Sequence, residues 1–178
     1  MDNLTTRLQT DDKAVLKELF EAHYTAVCAA VHRFVGERGV TEDLAQQVFI
    51  RFWEKRHQIE ITTSPGAYLH RMAVNEALAW LRSKKNQLPE EITPATPFMP
   101  EADGEKVLLQ NELQEQIHKA IDRLPPRCRA VFQLSRFEEK SYQEIADAME
   151  ISVKTVEHQM GKALRVLREQ LKPYLNGD

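Results

Sequence analysis

Apolar residues recur at three- and four-residue steps through most of the chain, which is the period of helices that bury one face. Leu16, Leu19, Phe20, Tyr24, Val27, Val31 and Phe34 form one such stripe. Gly36 and Gly39 break it, and Thr41 with Glu42 and Asp43 marks the start of a second helix, with acids in its first turn. That helix carries Leu44, Val48, Phe49, Phe52 and Trp53. A polar loop from His57 to Ser64 follows. Ser64-Pro65 then sets a capping side chain before a proline at the first helical position, opening a third helix through Leu69, Met72, Ala73, Ala77, Trp80 and Leu81 to Lys84-Lys85.

Further along, Leu113, Ile117, Ala120, Ile121 and Leu124 predict a helix stopped by Pro125-Pro126, and another runs from about Arg127 to Phe137. Two short helices come next. Ser141-Tyr-Gln-Glu144 is a capping box, and the helix it opens turns Ile145, Ala146 and Met149 to one side. Ser152 caps the second, which places Val153, Val156, Met160, Ala163, Leu164, Leu167 and Leu171 inward. Strand-like alternation and internal repeats are absent, so the fold class is all-α.

Prolines divide the chain. Four of the eight, Pro89, Pro94, Pro97 and Pro100, fall within twelve residues, a spacing that forbids helix and favours an extended linker. Residues 1–85 hold 12 basic and 11 acidic groups, residues 86–111 hold 1 and 5, and residues 112–178 hold 11 and 11. The acidic excess therefore lies in the linker. It reads as a solvated, self-repelling tether or, more specifically, as an acidic strand occupying a basic channel on a partner. The expected architecture is two small helical domains, 1–85 and 112–178, joined by a Pro-rich acidic linker over 86–111, the second domain ending in a helix-turn-helix.

With 178 residues, 42% hydrophobic and 29% charged, the chain has the composition of a folded soluble protein. No apolar run reaches the roughly 18–20 residues needed to span a bilayer. Met1-Asp2-Asn3-Leu4 lacks the basic start and apolar stretch of a secretory signal. Two cysteines, Cys28 and Cys128, make no disulfide framework, and a reducing cytosol fits them. Both read as core or inert. His23, Cys28 and His32 share a helix but point about 140° and 180° away from His23, so they do not converge on a metal. No GxSxG, HExxH, Walker or CxxC pattern occurs, and the reading calls for neither cofactor nor catalysis.

The capped pair of short helices carries the clearest chemistry. A turn of about three residues between them is the spacing of a helix-turn-helix, whose second helix enters the major groove. From Ile151 to Lys172 there are five basic residues against two acidic. Lys154, Thr155, Glu157, His158 and Gln159 are types able to read base edges, and Lys162 and Arg165 would reach phosphates. Glu150 stands where such turns usually hold glycine, which implies a strained backbone or a different turn. In the first half, Asp43, Gln46 and Gln47 leave a polar side beside Phe49 and Trp53. That helix could pack a core on one face and hold a partner on the other, and for Phe49 and Trp53 a plain core role is the favoured alternative.

At this point the sequence resembles the extracytoplasmic-function sigma factors of the sigma-70 family. The matching residues are Glu42-Asp43-Leu44-x-Gln46-x-Val48-Phe49-x-x-x-Trp53, Ala67-Tyr68-Leu69-x-Arg71-x-Ala73-x-Asn75, and Leu124-Pro125-Pro126-x-x-Arg129. They continue with Ser141-Tyr142-x-Glu144-Ile145-Ala146 and Ile151-Ser152-x-x-Thr155-Val156. Gln47, where the family often has an acid, and Glu150 depart from the pattern. The resemblance implies a promoter-recognition subunit of RNA polymerase. Asp43, Gln46 and Gln47, with Phe49 and Trp53, would grip the polymerase clamp helices. The His57–Ser64 loop and the helix with Arg71, Asn75, Trp80, Arg82, Lys84 and Lys85 would open the −10 element and capture an unstacked base. For Trp80 a core role is the favoured alternative. The last helix would read the −35 element. The partners implied are core RNA polymerase, promoter DNA and an anti-sigma factor, commonly membrane-bound; the chain itself would stay cytoplasmic. A near-neutral chain suits a factor held to DNA by its polymerase. An operator-binding regulator is the rival reading, and its N-terminal half would have no reason to carry these segments in this order.

Overall fold

In the computed structural model, which describes residues 2–89 and 112–176, every regular element is a helix. Two compact units are present, residues 1–77 and 78–178.

The first unit begins with α1 (Asp2–Gln9), which the sequence pattern did not reveal. After a turn, Asp12 caps α2 (Lys13–Val35) by accepting from the Ala14 amide at 2.9 Å. Gly36 ends α2 in the left-handed conformation at φ 73°, the glycine the pattern expects there. The next helix, α3 (Arg38–Glu54), starts a turn earlier than Thr41. Thr41 is fully buried instead of capping. Its hydroxyl donates back to the Glu37 carbonyl at 2.6 Å and lies 3.1 Å from His32 Nδ1. Threonine satisfies its hydroxyl inside a helix by this i−4 bond, so a cap-type residue here did not mark a boundary. Then α4 (Pro65–Ser83) opens as expected, with Ser64 Oγ accepting from the Ala67 amide at 3.1 Å. Val15, Val31, Phe34, Val48, Phe52 and Leu69 are closed off from solvent and form the core.

The second unit takes in α4 from Leu78 onward, α5 (Glu112–Asp122), α6 (Pro126–Arg136), α7 (Tyr142–Met149) and α8 (Val153–Leu175). Pro126 sits in the first turn of α6, where its missing N–H costs nothing. Arg129 reaches back from α6 and donates to the Asp122 carbonyl at 2.8 Å, satisfying the open end of α5. Burial lowers its pKa, and Asp122 opposes that shift. The core joins Ala120, Ile121, Leu124 and Cys128 to Ala163, Val166 and Leu167. Two inward assignments on α8 change. Leu164 stands 37% exposed, and Val166 is buried in its place. Val166 lies three residues after Ala163, on the side that meets α5, whereas Leu164 is turned about 100° from Ala163.

Most of the linker, residues 90–111, lies outside the described residues. No described helix is long and apolar enough to cross a membrane.

Candidate functional site

On the first unit, α2 and α3 pack side by side and leave an open groove of about 690 Å³. Its floor and walls are apolar: Leu16 and Phe20 from α2, and Phe49, Ile50 and Trp53 from α3, the Trp53 ring forming one wall. Its rim is polar, with Lys13 and Lys17 on one side and Gln46 and Glu54 on the other. Phe20 stacks on Tyr24 with centroids 4.6 Å apart and meets Phe49 edge-on at 4.9 Å. Such an aromatic cluster stiffens the floor. Burial pushes the Tyr24 phenol up to about 12; the Cys28 thiol and Glu42 add to this, and a hydrogen bond with Gln46 opposes it. Burial likewise raises the Cys28 thiol. Ile50 is 50% and Phe20 38% exposed, so large apolar area faces water here.

The residues singled out on α3 divide by burial. Phe49 is buried and belongs to both core and groove floor, while Trp53 is half-buried. Asp43 and Gln46 are exposed and Gln47 is half-exposed. Steps of three, four and seven put Asp43, Gln46, Gln47 and Ile50 on one side of the helix. Leu16, Phe20 and Ile50 were not expected at a site. A stripe in sequence does not say which of its members a neighbouring helix fails to cover.

On α4, Arg71 and Asn75 are both exposed and one turn apart. Trp80 is half-buried and lies about 180° around the helix from Arg71. The structure therefore does not gather Trp80 with Arg71 and Asn75. Within the second unit Arg82 Nη1 donates to the Ala148 carbonyl at 2.6 Å, and the Lys85 carbonyl accepts from Arg127. Lys84 is half-buried and the Lys85 side chain exposed. His23 lines a cavity of about 230 Å³ with Gly66 and His70, whereas His32 faces Thr41, so the histidines of α2 point to different neighbours.

The helix-turn-helix is built from its caps. Ser141 Oγ accepts from the Glu144 amide at 3.1 Å, and Glu144 accepts from the Ser141 amide at 2.7 Å. That bond and the Ser141 hydroxyl hold the Glu144 carboxyl below its ordinary range. Glu150 adopts the left-handed conformation at φ 54°, and Ser152 Oγ accepts from the Thr155 amide at 3.0 Å. A three-residue turn thus launches α8. Lys154, Glu157, His158 and Arg165 are exposed along one continuous side, with Lys162 half-buried beside them. Two expected readers are engaged elsewhere. The Thr155 hydroxyl pairs with Ser152 at 2.8 Å, and Gln159 turns inward to accept from Cys128 Sγ at 2.8 Å.

Two sequence families match in the order the geometry suggests: Sigma-70 region 2 over residues 19–87 and Sigma-70, region 4 over residues 114–167. The chain belongs to the sigma-70 family. Among its relatives is the RNA polymerase sigma-H factor of Pseudomonas aeruginosa, 26% identical over 97% of this chain and 94% of that one. The ECF RNA polymerase sigma factor SigW of Bacillus subtilis is 25% identical over 93% and 94%. The fold is also that of the sigma factor RpoE from Bartonella quintana, solved with the anti-sigma factor NepR. That match has a TM-score of 0.50 and 20% identity over 88% of this chain and 96% of the other. The factor is thus of the extracytoplasmic-function type: it binds core RNA polymerase and directs promoter-specific transcription initiation, and is not itself an enzyme.

Proposed function

We propose that the work of initiation is divided among the surfaces described above. The α2–α3 groove, with Asp43, Gln46, Gln47, Phe49 and Trp53, docks on the clamp helices of core polymerase. The exposed Arg71–Asn75 side of α4 takes up the opened −10 strand, with Arg82, Lys84 and Lys85 adding positive charge; these supply the polar edge-readers and cations of single-strand capture, while its stacking surface does not come from Trp80. On α8, Lys154, Glu157 and His158 read the −35 duplex while Lys162 and Arg165 hold its phosphates. Thr155 and Gln159 contribute by fixing the start and inner side of that helix. The corresponding domains are 1–85 and 112–178, with 86–111 as the tether.

The observation that carries this reading is the capped three-residue turn that presents a basic, exposed α8 face. An open apolar groove also needs a cover when polymerase is absent. The Bartonella relative was captured with an anti-sigma factor, and we assign a partner of that kind, anchored at the membrane, to this chain, which itself acts in the cytoplasm.

Run-off transcription with core polymerase, the full chain and a pool of promoter fragments tests the proposal. Initiation that depends on the added chain, with protection at −10 and −35, is the expected result. Tight binding to duplex DNA without core and no initiation would point to a regulator.

A further inference from the structure

The turn between α1 and α2 contains a residue whose backbone and side chain are both unusual. Asp11 adopts the left-handed conformation at φ 58°, where a non-glycine residue carries strain that glycine would not. Its carboxylate reaches across to the end of α3. Oδ1 accepts from Arg56 Nε at 2.6 Å and lies 3.2 Å from His57 Nε2. Arg56 Nη1 donates to the Trp53 carbonyl at 2.7 Å, and the guanidinium carbon sits 4.3 Å from the centroid of the Trp53 ring. The Arg56 side chain is 18% exposed, so it is held against the protein instead of moving freely in water. The ring it covers is a wall of the α2–α3 groove.

The turn itself is anchored. Leu8 of α1 is 1% exposed, and Arg7 is hydrogen-bonded to Asp12 at 2.9 Å and to Glu18 at 3.0 and 2.9 Å. An acid in a strained conformation, on a pinned turn, aimed at the cation that stacks on a groove wall is a constraint imposed from outside the groove.

We propose that Asp11 is a positioning residue for polymerase binding: by holding Arg56 over the Trp53 ring, it fixes the groove wall in the shape that core polymerase meets. The inference rests on the reading of the groove as polymerase-facing. Asp11 acts through Arg56 and touches no polymerase itself, so α1 serves as a brace for a surface to which it contributes no wall.

The test uses the full chain carrying Trp80→Phe, which leaves Trp53 as the one tryptophan. Asp11→Gly removes the carboxylate and suits the left-handed backbone, so the fold is retained; Asp11→Asn keeps the shape and weakens the bond. Arg56→Ala, the Asp11→Gly/Arg56→Ala pair and Trp53→Ala complete the set. Acrylamide quenching of Trp53 should rise in Asp11→Gly, and affinity for core polymerase should fall roughly three- to tenfold. Arg56→Ala should match it, the pair should be no worse than either single variant, and Asp11→Asn should fall between. Unchanged quenching in Asp11→Gly overturns the brace. So does wild-type core affinity in Asp11→Gly when Trp53→Ala weakens binding. Losses that multiply in the pair overturn it too, because they mean separate contacts. Core affinity unchanged in Trp53→Ala overturns the groove reading and the brace with it.

Discussion

Arg51 on α3 and Glu76 on α4 meet at 2.6 Å, with the glutamate side chain 10% exposed and the arginine 48% exposed. The pair ties the helix that forms one groove wall to the helix that carries Arg71 and Asn75. A carboxylate this far from water depends on its cation, because the uncompensated charge is what burial penalises most. Arg51→Ala should therefore destabilise the first unit by about 1–3 kcal/mol, less than a fully buried pair would cost because the guanidinium is half in solvent. Adding Glu76→Gln should recover part of the loss in urea unfolding. Strict additivity of the two substitutions would show that the pair is not coupled.

Glu150 holds the left-handed turn position between α7 and α8 with a side chain that no hydrogen bond in the turn requires. Glu150→Gly should relieve the backbone and raise the stability of the second unit by about 0.5–1 kcal/mol, readable as a higher denaturation midpoint. Destabilisation would mean that glycine's freedom in the unfolded chain outweighs the relief.

These two cases show what the sequence does and does not expose. The caps Ser64, Ser141 and Ser152, the glycine stop at Gly36 and the strained position at Glu150 are local chemistry, and each is legible in a window of four residues. Helix α1 is short and its burial depends on Leu8 meeting the rest of the first unit, so no local period announces it. The polar side of α3 was legible because its residues sit at helical steps. The groove beside it was not. Phe20 and Ile50 become exposed through the way α2 and α3 leave space between them, and Gln159 is drawn inward by Cys128, a residue 31 positions away. Non-local pairing decides these, and periodicity carries no record of it.

Stability should fall on acidification, for reasons that can be located. Glu144 is held low by its bonds to Ser141; Asp11 by Arg56; Asp12 and Glu18 by Arg7. A carboxyl whose folded pKa lies below its unfolded value contributes stability above the unfolded pKa and loses it as pH falls through the folded one. The decline should therefore begin near about pH 5 and continue toward about pH 2. Glu144→Gln should reduce the part belonging to the second unit, where Glu115, held low by Lys119, keeps its own share, and leave the rest. Unfolding midpoints measured across that range, in wild type and variant, check this; parallel curves would remove Glu144 from the account.

Asp43 is exposed on the α3 side that also carries Gln46. Asp43→Arg should leave the circular dichroism and melting curve of the chain unchanged while weakening its binding to core polymerase by about tenfold or more, since reversing a charge at a docking face costs more than deleting it. Competition against a labelled wild-type chain for core measures the effect. Wild-type affinity in a folded Asp43→Arg variant would move the grip elsewhere on α3.

On the proposed reading, the exposed side of α8 makes two kinds of contact that salt can tell apart. Residues that touch phosphates contribute to affinity for any sequence and to its salt dependence, whereas residues that touch base edges contribute to preference for one sequence. Lys162→Ala and Arg165→Ala should each weaken holoenzyme binding to all promoters alike and reduce the slope of log affinity against log salt by about 1. Lys154→Ala and His158→Ala should instead cost about 1–3 kcal/mol on the preferred −35 sequence and little on substituted ones, narrowing the difference between them. Binding of the reconstituted holoenzyme to a promoter series altered base by base at −35, repeated at several salt concentrations, gives both quantities at once. A uniform loss from His158→Ala with an unchanged order of preference would make that histidine a supporting residue and leave sequence reading to Lys154 and Glu157.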